Sequence, residues 1–136
     1  MNEQPPSNFD WVTARAECSA AAMYEQLRDA ARVNMKVRNA ILNKSEDKDR
    51  FRFKDDECGG RSFTIFDSWG HKRRAVDVAL KDDVIMVTSQ LGDQTSESSL
   101  GLTLNDAGQC RFVSDGRELD LWQVLKRALE PLFFGR

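Results

Sequence analysis

Apolar residues recur at steps of three and four along residues 19–42, which predicts one long amphipathic helix. Ser19 is a suitable N-cap because its hydroxyl can accept a hydrogen bond from a free amide of the first turn. Asn34 falls inside the predicted apolar stripe, where a polar group needs a partner. The predicted stripe contains Met23, Leu27, Ala30, Val37 and Ile41, widened by Tyr24, Ala31 and Met35.

From residue 51 onward the apolar period changes from 3.6 to 2, which predicts β-strands. Six apolar alternations follow one another at intervals of about 10–12 residues, separated by turn signals such as Asn105–Gly108. Val84–Gln90 is the most apolar of them and is expected to be central. Residues 91–98 are polar and are expected to form a loop. The pattern predicts an antiparallel meander with one buried face.

The two ends of the chain are less clearly patterned. Residues 1–8 contain two prolines and predict a flexible lead. Residues 9–18 suit either a strand or a helix, and their alternation favours a strand. Asp120 is expected to cap a final helix that Pro131 stops or kinks. The apolar stripe of that helix would contain Trp122, Leu125, Leu129 and Leu132.

These elements define an α+β protein in the order (β)-α-β6-α. An antiparallel meander of about six strands would carry two amphipathic helices on one face. A chain of 136 residues suits a single domain, here residues 9–136, after the flexible lead 1–8.

Composition narrows the class of protein. Charged residues make up 31% of the chain and the net charge is −2, so the whole surface is not a polyanion binder. No apolar run reaches membrane-spanning length, and the N-terminus lacks a signal pattern, so we expect a cytoplasmic protein without a membrane segment. Cys18, Cys58 and Cys110 are odd in number and widely spaced, which favours reduced thiols. Cys18 and Cys110 are expected to be small buried residues.

No pattern of catalytic or metal-binding residues is present. The only histidine, His71, lies in a basic turn, and no cysteine is close enough to it to suggest a zinc site. The sequence contains no phosphate-binding glycine loop and no nucleophile or zinc-protease motif. We therefore expect no metal and no cofactor, and the sequence favours a protein without catalysis.

Two surface features suggest binding. Residues 48–74 hold eight Lys or Arg against five acidic residues, and such a cluster can hold phosphates, with Phe66 and Trp69 able to stack a base. This nucleic-acid or polyanion hypothesis is the weaker one, since such charges more often form a solvated face. The cations concerned are Arg50, Arg52, Lys54, Lys72, Arg73 and Arg74.

The second feature is the apolar segment Leu132, Phe133 and Phe134, two residues from the C-terminus. These side chains either fold onto the core or dock on another chain. The leading hypothesis is accordingly a protein-interaction or self-associating module that uses this segment with the last helix.

A small-molecule carrier is the remaining alternative, with a pocket between sheet and helices. Solid packing is favoured, because protein interiors are normally close-packed. The candidate lining residues are Phe63, Ile65, Met86, Leu102 and Trp122.

Overall fold

The computed structural model describes residues 5–42, 49–56, 61–70 and 72–135. Seven strands form one sheet in sequence order, and every neighbouring pair is antiparallel. The predicted α+β class and its antiparallel meander flanked by helices are confirmed. The elements are α1 (Trp11–Glu17), α2 (Ala20–Leu42), β1 (Phe51–Asp55), β2 (Arg61–Asp67), β3 (Arg74–Lys81), β4 (Val84–Leu91), β5 (Gln94–Leu104), β6 (Cys110–Ser114), β7 (Arg117–Leu119) and α3 (Leu121–Phe134).

The strand that the sequence favoured for residues 9–18 is a wrong prediction, because Trp11–Glu17 of this segment form helix α1. Asp10 caps the helix: its Oδ1 accepts from the amide of Thr13 at 3.1 Å and its Oδ2 from the Thr13 hydroxyl at 2.6 Å. These bonds also hold the pKa of Asp10 below its usual value. A local cap satisfies free amides of the first turn, which alternation of apolar residues does not register.

The strands differ from the prediction at two places. Residues 91–98 do not form a loop, since Leu91 pairs with Gln94 in a tight β4–β5 hairpin. Gly92 adopts a φ of +69° there, which suits glycine. A short seventh strand, β7, also follows β6. Both were missed because their pairing depends on backbone hydrogen bonds rather than on apolar side chains.

The apolar stripe of α2 also divides differently from the prediction. Met23, Leu27 and Met35 are buried, but Val37 and Ile41 are exposed. Each residue turns a helix by 100°, so Val37, two residues after Met35, lies about 200° away on the opposite face. The predicted single stripe is therefore two stripes on two faces.

The buried polar residue of α2 is Asn39, whereas Asn34 is exposed. The Asn39 amide group donates to the carbonyl of Phe51 at 2.8 Å and accepts from the Phe51 amide at 2.9 Å. Phe51 begins the edge strand β1, so the side chain of Asn39 supplies the hydrogen bonds that a neighbouring strand would otherwise make. This pairing joins α2 to the edge of the sheet.

The last helix begins where the sequence indicates and ends later. Asp120 is its N-cap, and the Asp120 amide donates to Gln123 Oε1 at 2.7 Å. Pro131 does not stop the helix, which continues to Phe134. The amide that Pro131 lacks removes one helical hydrogen bond, and the packing of the last turn outweighs that loss.

The hydrophobic core lies between the two long helices and one face of the sheet, with Tyr24, Phe63, Phe112 and Leu132 among its largest side chains. Cys18 and Cys110, expected as free thiols, form a disulfide across 92 residues of sequence. Helix α1 buries no residue, and the disulfide joins Cys18, at the C-terminal end of this helix, to β6. The argument for a reducing compartment from unpaired cysteines therefore loses its basis.

Candidate interaction site

An apolar groove runs between α2 and α3 on the outer side of the helical layer. Its volume is about 250 Å³. Leu129 and Phe133 are buried beneath it, and Val37 and Ile41 of α2 line it opposite Phe134 of α3. We call this feature the α2–α3 groove.

The outer face of α2, which contributes Val37 and Ile41 to the groove, carries several exposed apolar side chains. Val33, Val37 and Ile41 are 58%, 54% and 54% exposed, and they follow one another at four-residue steps on the outer face of α2. Phe134 is 64% exposed. A contiguous set of large apolar side chains of this kind is typical of an interaction surface rather than of a solvated helix face.

Charged and polar side chains border the groove. Lys126 and Glu130, one turn apart on α3, form an ion pair with 3.1 Å between Nζ and Oε1. Asn34 and Arg38 border it from α2. An apolar centre with a polar border is the usual organisation of a protein–protein interface.

The structure separates the three C-terminal residues predicted to contact a partner. Leu132 is fully buried and Phe133 is 7% exposed, with its ring centroid 4.8 Å from that of Phe51. Only Phe134 has a large exposed area, and the Arg38 guanidinium lies 4.0 Å from its ring centroid. Leu132 and Phe133 thus belong to the core of this chain, and Phe134 borders the groove.

Two arginines hold the end of α3 in place. Arg38 donates to the carbonyl of Phe133 from Nε and Nη2 at 3.1 and 3.0 Å. Arg74 donates from Nη2 to the carbonyl of Pro131 at 2.8 Å. The Pro131 carbonyl also accepts from the Gly135 amide at 2.9 Å. The last carbonyls of a helix carry partial negative charge, so cationic donors stabilise this end. These arginine hydrogen bonds join the end of α3, next to Phe134, to α2 and β3.

Half of the predicted polyanion-binding cations are engaged by acidic groups. Arg50 donates to Asp67 with 2.8 Å between Nη2 and Oδ2, and this hydrogen bond raises the pKa of Arg50. The Asp67 Oδ2 atom also lies 4.0 Å from Arg74 Nε, and the Asp67 side chain is almost completely buried. Lys72 pairs with Asp93 at 3.2 Å.

The other three predicted cations, Arg52, Lys54 and Arg73, are exposed and have no acidic partner among the described residues. Arg52 and Lys54 lie on the edge strand β1, and Arg73 precedes β3. Phe66 faces Arg52 across the β1–β2 pair, while Trp69 lies near Arg50. Paired cations have less charge to offer a phosphate, so the structure adds little support to this hypothesis.

The structure places the predicted carrier residues in different surroundings. Phe63 and Ile65 are packed in the core, Met86 and Leu102 are half-buried, and Trp122 is exposed. A smaller cleft lies elsewhere, between the β4–β5 hairpin and α3. Sequence reasoning missed it because Ser96 and Ser98, which line it, fall in the segment 91–98 that is predicted as a loop.

Within the described ranges, the residues considered for catalysis or metal binding give no candidate site. His71 and Cys58 lie outside the described residues. Among the residues that the structure describes, no three His, Cys, Asp or Glu side chains are grouped as metal ligands would be. In the same part of the chain, no helix is both long and apolar enough to cross a membrane.

Comparison of the chain with protein-family models, curated proteins and solved structures found no match. The fold and the groove therefore define the class by themselves: an α+β domain whose helical layer carries an exposed apolar groove.

Proposed function

We propose that this protein is a self-associating module in which two copies meet through their α2–α3 grooves. The observation that carries the proposal is the outward stripe of Val33, Val37 and Ile41, more than half exposed on a helix whose other face already supplies the core. Burying such side chains against a partner removes apolar surface from water, which is the main favourable contribution to association.

The stripe suits a second copy of the same chain. A two-fold axis through Val37 would place Val33 of one copy opposite Ile41 of the other, so apolar meets apolar at each position. A symmetric dimer uses the same patch on both subunits and therefore needs a surface that is complementary to itself.

The border charges are self-complementary in the same way. Lys126 and Glu130 have opposite signs and lie one turn apart. A two-fold axis between them would bring Lys126 of each copy to Glu130 of the other. Such pairing favours a second copy over an unrelated partner, because the chain itself supplies both signs at matched positions.

The C-terminal segment takes part through Phe134 alone. Leu132 and Phe133 support the groove from the core side, and Arg38 joins Phe133 and Phe134 to α2. A partner surface restricted to residues 132–134 is thereby replaced by a larger surface centred on Val37.

The direct test is the mass of the assembly in solution, measured by native mass spectrometry and light scattering. We expect a dimer for the unmodified chain. Val37→Asp should weaken dimerisation at least about tenfold, since a charge would be buried in the interface. Val12→Asp is the matched control, because Val12 is 60% exposed on α1 away from the groove. An unmodified chain that stays monomeric up to high concentration contradicts the proposal.

Charge reversal tests the two-fold arrangement itself. Lys126→Glu and Glu130→Lys alone should each weaken the dimer, because like charges would face each other. The double variant restores opposite signs and should recover most of the affinity. Single variants that dimerise as well as the unmodified chain would show that this border does not lie at the two-fold axis.

A cytoplasmic location remains a prediction, with the disulfide now weighing against it. Polyanion binding through Arg52, Lys54 and Arg73 remains a weaker hypothesis. Electrophoresis with single-stranded oligonucleotides at two salt concentrations tests it, and binding that does not fall with salt would contradict it.

A further inference from the structure

A second cleft, of about 170 Å³, lies between the β4–β5 hairpin and α3. Its floor is apolar and is formed by buried side chains of both layers, among them Val87, Leu100 and Val124. Four serines line its border together with Arg127 of α3, namely Ser89, Ser96, Ser98 and Ser114. We call this feature the serine cleft.

The strand register explains why hydroxyls line it. Ser98 pairs with the buried Val87, and Ser96 pairs with Ser89. Side chains two residues apart share a face, so Ser96 and Ser98 continue the core face that begins at Leu100. In β5, only Gly101–Leu104 pair with β6. The part of β5 that carries Ser96 and Ser98 therefore has no strand of β6 or β7 beside it.

The polar groups of the cleft are not used by the fold. Among the described residues, no hydrogen bond or ion pair engages the side chains of Ser96, Ser98, Ser114 or Arg127. Four serine hydroxyls, that of Ser89 included, and the guanidinium of Arg127 therefore line an apolar floor. Ligand sites combine an apolar lining with a few such polar groups.

The charge of the cleft indicates the sign of its ligand. Arg127 is the lining cation, and Glu97 is the lining acid. Glu97 alternates with Ser96 and Ser98, so its carboxylate lies on the other face of the strand. Guanidinium and hydroxyl groups donate hydrogen bonds to a carboxylate, and the floor suits a short hydrocarbon stem.

We propose that the serine cleft binds a small organic carboxylate, with its anionic end at Arg127 and the serine hydroxyls and its stem against Val87, Leu100 and Val124. A water molecule occupies about 30 Å³ of the liquid, so the cleft has room for about five or six non-hydrogen atoms. Butyrate has this size and is a suitable probe. This site is separate from the α2–α3 groove and does not depend on the proposed dimer.

The test is a titration of the full chain with sodium butyrate, followed by amide chemical shifts. We expect saturable shifts confined to residues around the serine cleft, with a dissociation constant on the order of millimolar. Arg127→Gln should weaken binding about tenfold or more, because a charge-assisted hydrogen bond is lost. Arg52→Gln is the matched control, since it removes the same charge from exposed β1.

Two further comparisons decide between explanations. Ser98→Leu should abolish binding by filling the cleft while leaving Arg127 in place, and its exposed position tolerates the change. n-Butanol and inorganic phosphate supply the stem and the charge separately, so each should bind more weakly than butyrate. Equal binding by Arg127→Gln and unmodified protein, or shifts spread over the whole surface, would overturn the proposal. Val37→Asp should bind butyrate normally, which separates this test from that of the dimer.

Discussion

The two faces of α2 carry similar apolar side chains and place them in opposite surroundings. On the inner face, Met23, Tyr24 and Leu27 are buried, and Leu27 is only 1% exposed. On the outer face, Val37 and Ile41 remain more than half exposed. A helix turns about 100° per residue, so the buried series and the exposed series lie on opposite faces.

This difference shows that apolar content along a helix does not by itself assign a side chain to the core. The buried series runs through Leu27, Ala31 and Met35 and ends at Asn39. The exposed series starts at Val33, two residues out of step with it. Two apolar stripes of different phase on one helix indicate two separate contacts, of which the fold accounts for one.

Truncation should affect the two series very differently. Leu27→Ala is expected to lower the free energy of unfolding by about 3 kcal/mol, because it leaves a cavity in a packed core. Val37→Ala should change it by less than about 0.5 kcal/mol in the dissociated protein. Urea unfolding followed by circular dichroism at low protein concentration measures both. Equal losses in the two variants would mean that Val37 is packed within the chain.

The fold class and the main elements could be predicted from the sequence, because the helical period of 3.6 and the strand period of 2 are regular over most of the chain. Ser19 precedes α2 and Asp120 precedes α3 as predicted, and Ser19 Oγ accepts from the amide of Ala22 at 3.1 Å. Where local hydrogen bonds decide the structure, the apolar pattern misleads. Helix α1 is set by the Asp10 cap, and the β4–β5 hairpin is set by backbone pairing.

The sites were less predictable, because they depend on residues that are distant in sequence. The groove joins residues 34–41 to residues 126–134, and no spacing rule links these segments. The pairing of Cys18 with Cys110 across the fold is of the same kind. One signal was available: the phase change between Met35 and Val37 is visible in the sequence and would have separated the two stripes of α2.

The two asparagines of α2 provide a polar version of the same comparison. Asn39→Ala is expected to destabilise the fold by about 2–3 kcal/mol, since the buried amide and carbonyl of Phe51 would lose their partners. Asn34→Ala, on the exposed face, is the control and should have an effect below about 0.5 kcal/mol.

Hydrogen exchange sharpens this prediction. The Phe51 amide should exchange faster in Asn39→Ala than in Asn34→Ala, because the edge of β1 would lose its side-chain hydrogen bonds. Equal exchange rates at Phe51 would show that Asn39 does not protect the edge strand.

The buried face of α2 also carries an ionisable group, Tyr24, which the exposed stripe does not. Burial, reinforced by the nearby carboxylate of Asp55, raises the pKa of Tyr24 to about 12. In the unfolded chain a tyrosine ionises near pH 10. The neutral phenol therefore stabilises the fold fully below pH 10, and this contribution is lost as the pH rises from about 10 through about 12.

Tyr24→Phe should remove that part of the pH dependence, with a difference of about 2 kcal/mol at the alkaline end. Tyr24 is the only tyrosine of the chain, so absorbance of the phenolate reports its ionisation directly. Comparing Tyr24→Phe with the unmodified protein cancels the titration of the lysines in the same range. Val37→Ala is the control and should leave the titration of Tyr24 unchanged, because the exposed stripe lies on the other face of the helix. Ionisation of Tyr24 near pH 10 in the folded protein would contradict its burial.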